Sequence, residues 1–311
     1  MTADVPHNFA NPAVVTQSWY VAVRSRDVRA ERIASYTLLN RRIAIYRDCS
    51  GVVHALDARC PHLGAGLGQG CLVDDEVQCA FHKWRFGADG SCRFAPGMAN
   101  PPERQARVYP AQERWGLVWI FNGPRPLFPI PSPDAQTPYR VIVPTSRQIN
   151  CHPHLVVGNG LDTRHLETLH GMRFTAPPQL CASGDFEVTA IVQGRPNSRL
   201  LRWITGSRRS DIIARFSAIG GNLAWASVLK PVNFHVLFTG QPGEQGGCKT
   251  QTVVFLPKEV GMKPLQALAL LYFLLHRDRG VLERLDFHPA FAADDEPLRL
   301  LSDVVNRMPI W

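Results

Sequence analysis

No apolar run in this sequence approaches the roughly 20 residues that a membrane-spanning helix needs. The longest, residues 265–275, is interrupted by Gln266. The first 17 residues lack an apolar core followed by a small-residue cleavage site and instead carry Asp4, two prolines and two asparagines, so no secretory leader is expected and the chain reads as cytoplasmic. Its eight cysteines, at 49, 60, 71, 79, 92, 151, 181 and 248, are too sparse in 311 residues for a disulfide framework. Free thiols or metal ligands fit better. Internal repeats and low-complexity segments are absent, and 45% apolar with 19% charged residues is an ordinary globular balance. The formal charge of +8 could favour nucleic acid, anionic lipid or an acidic protein. It selects none of them, and no nucleic-acid-binding module is recognisable.

What is present divides the chain. Residues 19–23, 42–46, 52–56, 77–80 and 117–121 read as short strands rich in Val, Ile, Trp and Phe, with Gly or Asp between them. Six prolines between 123 and 138 then break any regular hydrogen-bond ladder. The expected organisation is an all-β domain over 1–125, a proline-rich linker over 126–139 and an α+β domain over 140–311. In the last, strands are expected around 186–192, 200–205, 212–219, 223–229, 234–239 and 250–256, with a helix near 155–170. Pro264 at a first helical position, followed by Leu265, Leu268, Ala269, Tyr272, Leu275, Arg279 and Leu282 at three- to four-residue spacing, predicts a long helix.

Within the β domain, Cys60-Pro61-His62 and Cys79-Ala80-Phe81-His82 supply two thiolates and two imidazoles as two mixed pairs. Zinc accepts such a donor set, but zinc fingers usually present the thiolates as one pair and the imidazoles as another. Mixed pairs suit a 2Fe-2S cluster in which two thiolates hold one iron and two imidazoles the other. With Gly64, Gly66, Gly68 and Gly70 between the pairs and Trp84 after them, residues 40–97 resemble the Rieske domain of non-haem iron oxygenases. Lys83 stands where that family usually has Gly, and Ala80-Phe81 where it often has Pro-Tyr. Cys71 and Cys92 are read as packed free thiols.

The second constellation is Asn159-x-x-Asp162-x-x-His165-x-x-x-x-His170. On an ideal helix His165 and His170 would lie about 140° apart, so they can share a metal only if the helix ends or distorts, and Gly171 is a plausible stop. The spacing is similar to the iron-binding segment of Rieske oxygenase catalytic domains, which hold mononuclear ferrous iron with two His and one carboxylate. The resemblance makes His165 and His170 ligands. It gives Asp162, with Asn159 beside it, a catalytic role as the bridge that bonds His165 and reaches His82 of a neighbouring protomer in a homotrimer. It implies a third ligand on the long helix, where Asp278 fits, although Arg277 replaces the usual preceding Glu. Glu283 and Asp286 are the competing carboxylates.

Other features have plainer readings. His152 and His154 alternate as in a strand, Arg195, Arg199, Arg202, Arg208, Arg209 and Arg215 suit a solvated face, and Trp203, Phe216, Trp225, Phe234 and Phe255 suit a core. The resemblance implies an oxygenase on the monooxygenase, demethylase and steroid-hydroxylase side of the family. It would act on an apolar small molecule with dioxygen. No segment resembles a flavin or nicotinamide site, so electrons would come from an external NAD(P)H-dependent reductase, directly or through an acidic ferredoxin drawn by the positive charge. The competing class is a Rieske electron-transfer protein fused to a ligand-binding domain.

Overall fold

The computed structural model describes residues 8–182, 184–199, 202, 211–231, 233–243, 247–259, 264–292 and 295–311. The strand read over 200–205 and the side chains of Trp203, Arg208 and Arg209 lie outside them. The chain forms two compact units: Gln17–Leu127 with Trp311, and the residues up to Thr16 with Phe128–Ile310. The N-terminal segment thus packs with the second unit instead of the β domain. Phe9 stacks on His154 with ring centroids 5.0 Å apart, and the Asn8 side chain donates to the carbonyl of Met308.

The first unit is all β. Strands β1 (Trp19–Arg24), β2 (Ile33–Leu38), β3 (Arg41–Arg47), β4 (Val53–Asp57), β5 (Cys71–Val73), β6 (Glu76–Gln78), β7 (Arg85–Phe86), β8 (Cys92–Phe94), β9 (Val108–Tyr109), β10 (Ala111–Arg114) and β11 (Leu117–Phe121) form three sheets. Their orders are β1-β11-β10, β2-β3-β4-β9 and β5-β6-β7-β8. Tyr46, Leu56, Leu67, Val77 and Phe86 close one core around the buried sulfur residues Cys60 and Cys79. Cys71 is exposed, not packed, and both it and Cys92 are free.

In the second unit, β12 (Tyr139–Ile142), β13 (Arg147–Ile149), β14 (Met172–Ala182), β15 (Glu187–Pro196), β16 (Ile212–Ile219), β17 (Leu223–Lys230), β18 (Phe234–Pro242) and β19 (Cys248–Pro257) make an antiparallel sheet. Its order is β12-β19-β18-β17-β16-β15-β14, and β13 also pairs with β19. Alternation along these strands puts Val188, Ala190, Ala218 and Ala224 on one face. They pack there with Val157 and Leu161 and with Leu301, Val304 and Val305 of the C-terminal helix (Glu296–Arg307). Val236, Val254 and Leu256 meet Leu270 and Leu271 of the long helix in the same way. The fold class is therefore α+β, a β domain followed by a sheet packed on helices.

Two features of this unit differ from the sequence reading. The helix expected over 155–170 is two short ones, α1 (Pro153–Gly158) and α2 (Thr163–Thr168), separated by Asn159–Asp162. His152 and His154 are not in a strand: His152 caps α1, its side chain accepting from the His154 amide, and His154 is buried inside that helix. The long helix α3 runs over Pro264–Leu282 as the periodicity predicts. The C-terminal helix, α4, has no counterpart in that reading.

His154 makes stability depend on pH. Burial first, and His152 second, push its pKa down to about 3 from the ordinary 6.5, and its Nδ1 accepts from the Ala10 amide. Below pH 6.5 the unfolded chain gains a proton that the native imidazole refuses. This contribution to stability is therefore present above pH 6.5 and lost as pH falls, by up to about 1.4 kcal/mol per unit. Urea midpoints at pH 7.5 and 5.5 check this: His154→Gln should remove that part of the slope.

Two candidate metal centres

The first centre lies on two matching turns. The Cys60 amide donates to the Ala65 carbonyl and the Gly64 amide to the Cys60 carbonyl, both at 2.8 Å. In the second turn the Cys79 amide donates to Trp84 at 2.8 Å and the Lys83 amide to Cys79 at 3.1 Å. Each turn reverses through a left-handed residue, Gly64 at φ +79° and Lys83 at φ +60°. The turns bring the four sequence candidates together. The rings of His62 and His82 lie 4.7 Å apart, and the two cysteines are neighbours in the core. Burial, with Cys79 adding to it, pushes the Cys60 thiol up to about 11.

His62 is further fixed by Trp84, which stacks on it at 4.2 Å and 3° between planes. Its Nδ1 is buried without a hydrogen-bond partner, an arrangement that costs free energy unless something else occupies the nitrogen. Two buried sulfurs, two adjacent imidazoles and an orphaned ring nitrogen fit a 2Fe-2S cluster.

The second centre is built by α2 and α3. Asp162 caps α2, its Oδ1 accepting from the His165 amide at 3.0 Å. The helix stops at Thr168, the His170 amide reaches five residues back to the His165 carbonyl at 3.4 Å, and Gly171 turns out at φ +63°. The distortion that the five-residue spacing demands is thereby supplied, and the two imidazoles lie 4.6 Å apart at 84°.

Asp278 reaches them from α3. It shares a face with Leu271 and Leu282, both buried, so the carboxylate occupies what would otherwise be a core position. His165 Nε2 and His170 Nε2 approach its Oδ1 at 2.9 and 2.7 Å. Burial acts to raise the Asp278 carboxyl, and the two imidazole hydrogen bonds outweigh it, so the net direction is downward. The competing carboxylates are engaged elsewhere: Glu283 pairs with Arg279, and Asp286 is exposed beside His288.

Asn159, a candidate from the motif, acts through its backbone and not its side chain: its carbonyl lies 3.1 Å from His165 Nδ1. A carbonyl only accepts, so Nδ1 must be the protonated nitrogen. The Nε2 facing Asp278 is then left as a lone pair opposite a carboxylate oxygen unless it carries a proton or a cation lies between. Two nitrogens and a carboxylate, all within 4.8 Å, are a suitable donor set for ferrous iron. Asp162 does not bond the His165 ring as the resemblance implies. As an N-cap its side chain takes the amide, and the ring nitrogen is held by Asn159 instead.

Residues 18–110 match the Rieske [2Fe-2S] domain family. The oxygenase component of dicamba O-demethylase from Stenotrophomonas maltophilia is 31% identical over 260 residues, covering 78% of this chain and 74% of that protein. Cholesterol 7-desaturase of Bombyx mori is 30% identical over 164 residues, 51% of this chain but only 36% of its own length. The chain thus spans little more than a third of that desaturase. The fold matches the crystal structure of dicamba monooxygenase bound to dicamba, with a TM-score of 0.68 at 22% identity, over 94% of this chain and 98% of that one.

Proposed function

This chain belongs to the Rieske non-haem iron oxygenase family, and from that premise we propose that it is an oxygenase component that oxidises an apolar small molecule. The observation that carries the reading is the convergence of His165 Nε2 and His170 Nε2 on one buried carboxylate oxygen of Asp278. In this assignment Cys60, Cys79, His62 and His82 hold the cluster, and His165, His170 and Asp278 hold ferrous iron. When bound, the cluster supplies single electrons and the iron supplies dioxygen reduction.

The protein's own groups prepare the second site. The Asn159 carbonyl holds His165 in one tautomer and aims its Nε2 at Asp278. The end of α2 turns His170 back toward the same oxygen. Leu166, next to His165, packs with Val192, Ile212 and Ala214, and with Phe174 and Phe216 at their margin. This apolar cluster begins one residue from a proposed metal ligand, which supports an apolar substrate.

Electrons would come from a ferredoxin or NAD(P)H-dependent reductase in the cytoplasm, attracted by the chain's basic balance. Among the described residues, no helix is long and apolar enough to cross a membrane. The proposal includes a homotrimer in which Asp162 of one protomer meets the cluster side of its neighbour. A pure electron carrier would have no use for the buried His165–His170–Asp278 set. Metal analysis separates the two: about three irons and two labile sulfides per chain, with a Rieske-type electron paramagnetic spectrum on reduction, are expected for the oxygenase. Two irons alone would favour the carrier, and a zinc protein with no such spectrum would refute both.

A further inference from the structure

The two cluster turns have the same backbone but differ at their reversal. The amide bonds from Cys60 to Ala65 and from Gly64 to Cys60 are repeated from Cys79 to Trp84 and from Lys83 to Cys79. The left-handed position they share is Gly64 in one turn and Lys83 in the other. Gly64 is the residue that such a conformation selects, because it has no Cβ to clash. Lysine there is strained by comparison, and its backbone does nothing that a glycine would not do better.

What distinguishes the second turn is therefore the side chain. Lys83 is exposed, directly follows His82, and among the described residues its ammonium has no ion-pair partner. Its carbonyl-side neighbour Trp84 is buried against His62, so the residue that carries this cation is anchored by its backbone between His82 and Trp84, at the imidazole end of the cluster site. Reduction adds one negative charge to a cluster. A nearby cation lowers the energy of the reduced form more than that of the oxidised form.

We propose that Lys83 sets the reduction potential of the cluster, holding it higher than the glycine-turn geometry alone would give. The inference rests on the cluster assignment made above. An exposed unit charge at short range alters such an equilibrium by about two- to fivefold. A threefold change for a one-electron couple corresponds to about 28 mV, at 59 mV per tenfold.

The test is a spectroelectrochemical titration of the reconstituted protein, together with thermal melting. Lys83→Gly removes charge and strain, Lys83→Gln removes charge alone, and Lys83→Arg keeps both. The first two should lower the reduced-to-oxidised ratio at a fixed applied potential by about two- to fivefold, whereas Lys83→Arg should keep the wild-type midpoint. Lys83→Gly should melt no lower than wild type, which separates the potential from stability. A Cβ at Gly64 meets no atom within 4 Å, so the exchange Gly64→Lys with Lys83→Gly returns a cation to the matching turn and should recover most of the lost shift. Wild-type midpoints in both Lys83→Gly and Lys83→Gln, or a shift in Lys83→Arg as large as theirs, would overturn the proposal. Absence of a Rieske-type spectrum in the wild-type protein would instead refute the cluster assignment.

Discussion

Asp278→Ala is expected to lose the mononuclear iron and, with it, turnover, while leaving the cluster spectrum unchanged. Asp278 Oδ1 is the one atom that both imidazoles approach, at 2.9 and 2.7 Å, and no other carboxylate among the described residues joins the group. Loss of an outer hydrogen-bond partner of a metal ligand already costs ten- to a hundredfold in affinity or activity. Removing a first ligand should therefore cost at least about a hundredfold in both. The cluster residues lie in the other compact unit, so their spectrum should not change, and the far-ultraviolet circular dichroism and thermal melt of the variant report whether the second unit has folded. Glu283→Ala is the control, because that carboxylate is held by Arg279. Iron content and product formation are the measurements. Full iron and activity in Asp278→Ala, with both lost in Glu283→Ala, would move the third ligand to Glu283.

Asp162→Asn should keep both metals and the oligomer and still lose product formation by about ten- to a hundredfold. Asparagine caps a helix about as well as aspartate, so the bond to the His165 amide and the form of α2 survive. The substitution removes the negative charge, and with it the stronger charge-assisted hydrogen bond proposed to reach His82 of the adjoining protomer. Single turnover from the pre-reduced variant measures that step directly. Cluster oxidation at the wild-type rate would remove Asp162 from the electron path, and a fully active monomer would remove the route between subunits.

The cluster residues were legible because their signal is local. Each Cys and its His sit in one short turn, and two such mixed turns differ from the usual zinc-finger pattern. Strands β15 to β19 were legible in the sequence, whereas β12, β13 and β14 were not; β14 is the longest of the three. It carries Pro177 and Pro178 and lies at the end of the sheet order, where a residue that cannot donate is tolerated. His152 and His154 show the limit of the same method: alternation could not distinguish a strand from a capped helix start, and the cap decided it.

The sequence by itself determined the donors: which turns carry sulfur and imidazole, that the His165–His170 spacing requires a broken helix, and that a long helix follows the sheet. It did so because capping, turns and periodicity act over a few residues. The tertiary structure shows which of the three carboxylates meets the two histidines: Asp278, the residue that the family resemblance also favours. Glu283, Asp286 and Asp278 are chemically similar and near one another in the chain, but only Asp278 lies on the buried face of α3 with Leu271 and Leu282. Packing of that face toward the sheet, together with the Asn159 carbonyl orienting His165, sets positions between groups more than a hundred residues apart. No local rule carries that information.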